Sequence, residues 1–180
     1  MNKKLPKCLS EVKVDGDDRL TSDKKPFLIY DNNSSERILI FASEMGLKML
    51  SETFVWHADG TFYSASKYFA QLYILFAHYP ERSFQNDGKP WVKRTIPCVW
   101  VLMKRRRKTD YDIVWGAIIK ECQKYKLTLN PKSIMIDFEL AAKLSFESFF
   151  PNAKIRGCLW HFGSAIFKLK KIFLNYFLIL

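Results

Sequence analysis

Hydrophobic residues change their period along this chain. Between Phe54 and Met103 they fall into short β-branched and aromatic runs, and beyond Tyr111 they recur at helical steps between brief apolar runs. Phe54-Val55-Trp56-His57 predicts a buried strand that stops at the turn signal Asp59-Gly60. Tyr68 to Ala77 predicts a longer strand closed by Pro80, and Ile96 to Met103 a third. The polar segment Glu81 to Thr95, with Asn86-Asp87-Gly88 inside it, predicts the turn between them. Three strands in series predict an antiparallel meander.

From Tyr111 the spacing is that of a helix: Tyr111, Val114, Trp115, Ile118, Cys122 and Tyr125 share one face, and Asp112, Lys120, Glu121, Gln123 and Lys124 fill the other. Thr109 with Asp112 reads as an approximate capping box for that helix. Lys132 to Ile136 predicts a fourth strand delivering Asp137, followed by a helix through Ala142, Phe146 and Phe149 that ends at Pro151. A fifth strand over about Ala153 to Cys158 and a last helix from near His161, with Phe162, Ala165, Ile166, Leu169 and Phe173 on one side, complete the series. Three strands followed by alternation call for an α/β fold: a mixed five-stranded sheet flanked by helices on both faces. That is the order of a ribonuclease H-like domain, in which the first and fourth strands are neighbours.

Domain organisation follows from the same pattern. Residues 1–50, polar and turn-rich through Asp31-Asn32-Asn33-Ser34-Ser35-Glu36, read as a lead-in. Residues 51–171 form the domain, and residues 172–180 form a divergent hydrophobic tail. At 180 residues and 48% hydrophobic the chain can bury one real core. The tail, Ile172 to Leu180, is far shorter than the roughly 20 apolar residues of a membrane helix, so no membrane span is expected.

Charge changes the picture more than size does. A formal net charge of +11 favours a polyanion, because each cation placed on a phosphate releases counterions. The excess is concentrated in the run Lys104-Arg105-Arg106-Arg107-Lys108, with a second cluster at Lys168, Lys170 and Lys171. The run suits a phosphate track, a nuclear import signal or a solvated loop rim, and the sequence does not choose among them. Cys8, Cys98, Cys122 and Cys158 form no C-x-x-C pair, and no apolar leader follows Met1, which points to a reduced, intracellular setting.

Two carboxylates stand at predicted strand ends, Asp59 and Asp137. Carboxylates converging at a strand edge can hold Mg²⁺ or Mn²⁺, hard cations that prefer oxygen ligands. An Asp before Gly is also a turn former, and an Asp before a helix is also its N-cap. Glu139 fits a supporting role near the helix start, and His57 alternates with Asp59 on the same side of the strand. Cys158 and His161 make half of a zinc site, with no second Cys/His pair nearby, or else a buried cysteine and a histidine at a helix start.

In order, Asp59-Gly60-Thr61-Phe62, Phe69-Ala70-Gln71-Leu72-Tyr73, Lys108-Thr109-x-Tyr111, Ile136-Asp137-Phe138-Glu139, Phe150-Pro151-Asn152-Ala153 and Gly157-Cys158-x-x-His161-Phe162 resemble the transposase domain of Mutator-like elements. The upstream Pro26 to Tyr30 and Arg37 to Phe41 resemble the lead-in of those proteins. The resemblance implies a DDE transposase that cuts and joins DNA ends with Mg²⁺ or Mn²⁺ in the nucleus and can assemble as a homo-oligomer. It implies that Asp59 and Asp137 are the first two catalytic acids, and that Cys158 and His161 match a C-x-x-H motif. The third acid of that family is a Glu beyond this motif, whereas no Asp or Glu follows Glu147 here. The expectation is therefore a C-terminally incomplete, inactive copy. The alternative is a domesticated, non-catalytic DNA-binding or regulatory protein that uses Lys104 to Lys108.

Overall fold

A computed structural model of the chain describes residues 6–61, 65–79, 94–164 and 166–167. Seven strands form one sheet: β1 (Leu28–Asp31), β2 (Ile38–Ala42), β3 (Val55–Thr61), β4 (Gln71–Tyr79), β5 (Arg94–Met103), β6 (Ser133–Ile136) and β7 (Lys154–Gly157). Their order across the sheet is β1-β2-β5-β4-β3-β6-β7. The helices are α1 (Glu44–Glu52), α2 (Lys108–Lys124) and α3 (Leu140–Phe149), and the stretch 159–164 is also helical.

The expected meander is present, with β3 antiparallel to β4 and β4 antiparallel to β5. The first and fourth expected strands, β3 and β6, are parallel neighbours. The expectation of five strands is corrected to seven. The apolar runs in the stretch read as a lead-in pair as an antiparallel hairpin, and β2 extends the sheet against β5. Ile38, Leu39 and Ile40 are as buried as any residue of the central strands. Ser43 caps α1 by accepting from the Gly46 N–H at 3.0 Å. The segment expected to turn between β4 and β5 and the Lys168, Lys170 and Lys171 cluster lie outside the described residues, apart from Arg94 and Thr95 in β5.

Two boundaries also differ. Strand β3 does not stop at Asp59-Gly60 but runs on to Thr61, with Asp59 opposite Ile74 and Gly60 opposite Tyr73. Helix α2 starts two residues earlier than Thr109 and Asp112 suggested: the carboxylate of Asp110 accepts from the Arg107 N–H at 2.8 Å. Asp112 instead binds Lys108 and accepts from the Ser145 hydroxyl at 2.6 Å, tying α2 to α3.

Pleating sorts the strand residues by face. Tyr73, Leu75 and Ala77 of β4 are buried, while Leu72, Ile74 and Phe76 between them are only half-buried. The buried face joins one cluster with Leu47 and Leu50 of α1, Tyr111, Val114, Trp115 and Ile118 of α2, and Ala142 and Phe146 of α3. At its centre Trp56 stacks on Trp115 with ring centroids 6.2 Å apart and meets Phe146 and Phe150 edge-on. The Trp56 indole N–H donates to the Leu50 carbonyl at 3.1 Å, which satisfies the one polar atom of that side chain.

Candidate active site where β3 meets β6

The sheet topology brings the two aspartates together. In the parallel register Val55 lies beside Ser133, Trp56 beside Ile134 and His57 beside Met135. Carried two residues further, that register sets Asp59 beside Asp137, the first residue past β6. Neither reading of these residues as mere turn former or helix cap holds. Asp59 sits inside a paired strand, and α3 begins three residues after Asp137.

The two side chains reach to different sides. Asp59 is about half exposed, and its Oδ1 lies 3.6 Å from His161 Nε2. It lines a cavity of about 270 Å³ with His57, Phe76, Met135, Cys158, Trp160 and His161. The helical stretch after β7 thus approaches the sheet face opposite α1, α2 and α3. Asp137 accepts from the Glu139 backbone N–H at 3.2 Å through Oδ1 and turns Oδ2 towards Gly60.

Behind Asp137 lies a buried polar group that the sequence reading left out. Gln71 is fully buried on the helix-facing side of β4; its Nε2 donates to the Tyr111 hydroxyl and lies 3.2 Å from Met103 Sδ. Its Oε1 has no hydrogen-bond partner. A polar residue at an inward-facing position of an otherwise apolar strand was the signal available in the sequence. Burial raises the pKa of the Tyr73 phenol, and Asp137, Glu139 and Asp59 raise it further. Burial also lifts Glu139 above the ordinary glutamate range, helped by Asp137 and opposed by the Tyr111 hydroxyl and Arg106.

His57 stacks on His78 with centroids 4.9 Å apart, and burial followed by the His78 charge lowers the pKa of His57. Cys158 and His161 do share a cavity with His57 and Asp59. Among the described residues, however, no group of three or more His, Cys, Asp or Glu side chains is arranged to hold a metal ion. Cys98 and Cys122 are buried in the core. The residues present therefore do not fit a zinc centre at Cys158 and His161. Oxygen ligands for a harder cation are present: Asp137 Oδ2 and the unpartnered Gln71 Oε1 both face Gly60.

The basic run is less open than its sequence suggests. Arg105 and Arg107 both reach Glu36, Arg107 also binds Asp110, and Lys108 binds Asp112 at 3.0 Å. Arg106 lies near enough to Glu139 to lower its pKa. Lys104 to Arg107 form the loop between β5 and α2 and Lys108 opens α2, beside the acidic end of the sheet.

Fold and site together define a mixed α/β domain that gathers acids where two parallel strands end. The family model for the MULE transposase domain matches residues 55–165. This span begins with β3, ends in the helical stretch after β7 and covers most of the chain. The chain belongs to the MULE transposase domain family. A comparison with curated proteins finds no match. Family membership implies interaction with DNA, and among the described residues no helix is long and apolar enough to cross a membrane.

Proposed function

We propose that this chain is a transposase-derived domain of ribonuclease H-like architecture that engages DNA in the nucleus, with Asp59 and Asp137 contributing to a site for Mg²⁺ or Mn²⁺. One observation carries the reading. Within the family-matched segment, the parallel register of β3 and β6 aligns the two aspartates at one end of the sheet.

A divalent cation bound there would supply charge neutralisation at a phosphate and activation of an attacking oxygen. The residues themselves have separable tasks. Asp137 is held by the Glu139 N–H and offers its second oxygen to the cation. Asp59 is accessible from solvent, with His161 Nε2 3.6 Å from its carboxylate. Arg106, on the loop beside Glu139, is placed to meet DNA phosphates at the rim. The domain is therefore proposed to bind cation and DNA together.

The test incubates the purified chain with a labelled DNA duplex and supercoiled plasmid in Mg²⁺ or Mn²⁺. DNA binding that weakens with salt is expected. Metal-dependent nicking that disappears in Asp59→Ala would add strand cleavage to the reading. Failure to bind DNA at low salt would remove the reading as a whole.

A further inference from the structure

We propose that Gln71 is a positioning residue of the cation site, its side-chain oxygen and Asp137 Oδ2 together holding a divalent cation, directly or through the cation's water, against the bare α-carbon of Gly60. The inference rests on the reading of Asp137 as a cation ligand and adds a neutral partner that no acid motif would reveal.

Three observations carry it. First, Gln71 is 0% exposed, yet its Oε1 is unpartnered. A buried carbonyl oxygen without a donor loses its hydration and gains nothing, a penalty of about 1–3 kcal/mol. Secondly, the amide orientation follows from its neighbours. Its Nε2 donates to the Tyr111 hydroxyl and lies 3.2 Å from Met103 Sδ, which leaves Oε1 as the other, unpartnered end of the amide. Thirdly, Oε1 and Asp137 Oδ2 converge. A side chain begun at Gly60 would meet Gln71 Oε1 at 2.8 Å and Asp137 Oδ2 at 3.8 Å.

Two acceptor oxygens facing one gap repel each other unless something positive or donating lies between them. A Mg²⁺ or Mn²⁺ ion, which keeps several of its waters and takes carboxylate and amide oxygens, meets that need. Gly60 keeps the gap open, because a methyl group there would press on Oε1. Its backbone is not in the left-handed region, so the absence of a side chain relates to space rather than to conformation.

The experiment measures Mn²⁺ binding to the full chain by the loss of the free-ion electron paramagnetic resonance signal, with circular dichroism as the check on folding. Gln71→Met, which keeps length and removes the oxygen, is expected to weaken Mn²⁺ binding roughly tenfold, the range seen when a supporting partner of a metal ligand is lost. Gly60→Ala keeps the Gln71 oxygen but presses on it, and is expected to weaken binding similarly by filling the gap. Gln71→Glu, which puts a charged oxygen at the same point, is expected to restore or tighten it. Binding that is lost in Asp137→Asn but unchanged in Gln71→Met and Gly60→Ala overturns this inference and leaves the cation site standing. Binding absent from the unaltered chain, or indifferent to Asp137→Asn, overturns the cation site and the inference with it. If Gln71→Met does not fold, Gly60→Ala and Gln71→Glu still decide the question.

Discussion

Strand β3 holds two opposite solutions three residues apart. At Trp56 the side chain is fully buried, stacked on Trp115, flanked by Phe146 and Phe150, and hydrogen-bonded through its indole N–H. At Asp59 the strand enters a region of carboxylates, a fully buried phenol and an amide oxygen without a donor. The first is what folding stability selects: apolar area removed from water, with the Trp56 indole N–H satisfied. The second is a local violation of the same rules, and such violations concentrate at sites kept for binding or chemistry. Stability and function are thus separable along one strand, and substitution at each end should report on only one of them.

The largest effect is expected at the aromatic end. Trp56→Ala removes the centre of the cluster and leaves a cavity that three other rings cannot fill, so a loss of about 3–5 kcal/mol is expected. Urea unfolding followed by circular dichroism measures it. Asp59→Asn and Asp137→Asn should by contrast shift stability by no more than about 0.5 kcal/mol, and removing a charge from the acidic cluster can even raise it. A loss of several kcal/mol in either Asn variant would end the separation, because it would make the acids structural.

A smaller effect is expected at the start of α2. Asp110 accepts from the backbone and side chain of Arg107, and although burial pushes its pKa up, those hydrogen bonds win and hold it below the ordinary aspartate range. Asp110→Ala should lower stability by about 1 kcal/mol, the usual value of a lost cap. A depressed carboxylate pKa means that the unfolded chain takes up the proton first. The contribution is therefore present above the unfolded value near pH 3.8 and fades as pH falls through the lower folded value.

Glu139 has the opposite sign. Its folded pKa is raised, so the folded state binds the proton more tightly than the unfolded chain. Stability should then fall as pH rises from about 4.5 through the folded pKa, and Glu139→Gln should flatten that part of the profile. Thermal unfolding across this window, wild type against variant, reads it directly. An unchanged slope in the variant would show that Glu139 is not strained by its neighbours. Asp110 and Glu139 thus repeat the contrast between Trp56 and Asp59 in charge rather than in packing: one acid is satisfied and the other is not.

How much of this was legible beforehand depends on the range of the interactions concerned. The meander, α2 and α3 follow from local periodicity, and the neighbouring of β3 and β6 follows from the element order of a ribonuclease H-like domain; the structure holds them all and makes that pairing parallel. The first two strands were not recognised as such. Leu28–Asp31 and Ile38–Ala42 are short and stand in a polar stretch; Ile38–Ala42 gains its burial by pairing with β5, some sixty residues away in sequence, and Leu28–Asp31 pairs with Ile38–Ala42 in turn. No local window contains that partner. The cap of α2 was misplaced because Thr109 and Asp112 satisfy the spacing rule as well as Arg107 and Asp110 do; only the backbone decides. Asp59 and Asp137 were visible as acids near strand ends. Gln71 was visible only as a polar residue at an inward-facing position of an apolar strand; the unpartnered oxygen that gives it meaning is displayed by no residue pattern.

The smallest effect is expected on the basic loop, where it tests how far the site extends. Arg105 meets Glu36 at 3.3 Å with both side chains well exposed, 61% and 40%. Such a pair contributes about 0.5 kcal/mol or less. Arg105→Ala should therefore leave the unfolding midpoint nearly unchanged. Arg107 differs, since it also binds the carboxylate of Asp110, which is only 3% exposed, and its removal strands a buried charge at the start of α2. The two arginines separate a DNA effect from a folding effect. If the loop meets phosphates, Arg105→Ala lowers DNA affinity and reduces the slope of log affinity against log salt by about one. Arg107→Ala would lower affinity and stability together. DNA binding indifferent to Arg105→Ala, in a protein of unaltered stability, would confine the site to the acids and Gln71 and leave the loop as a rim already neutralised by Glu36, Asp110 and Asp112.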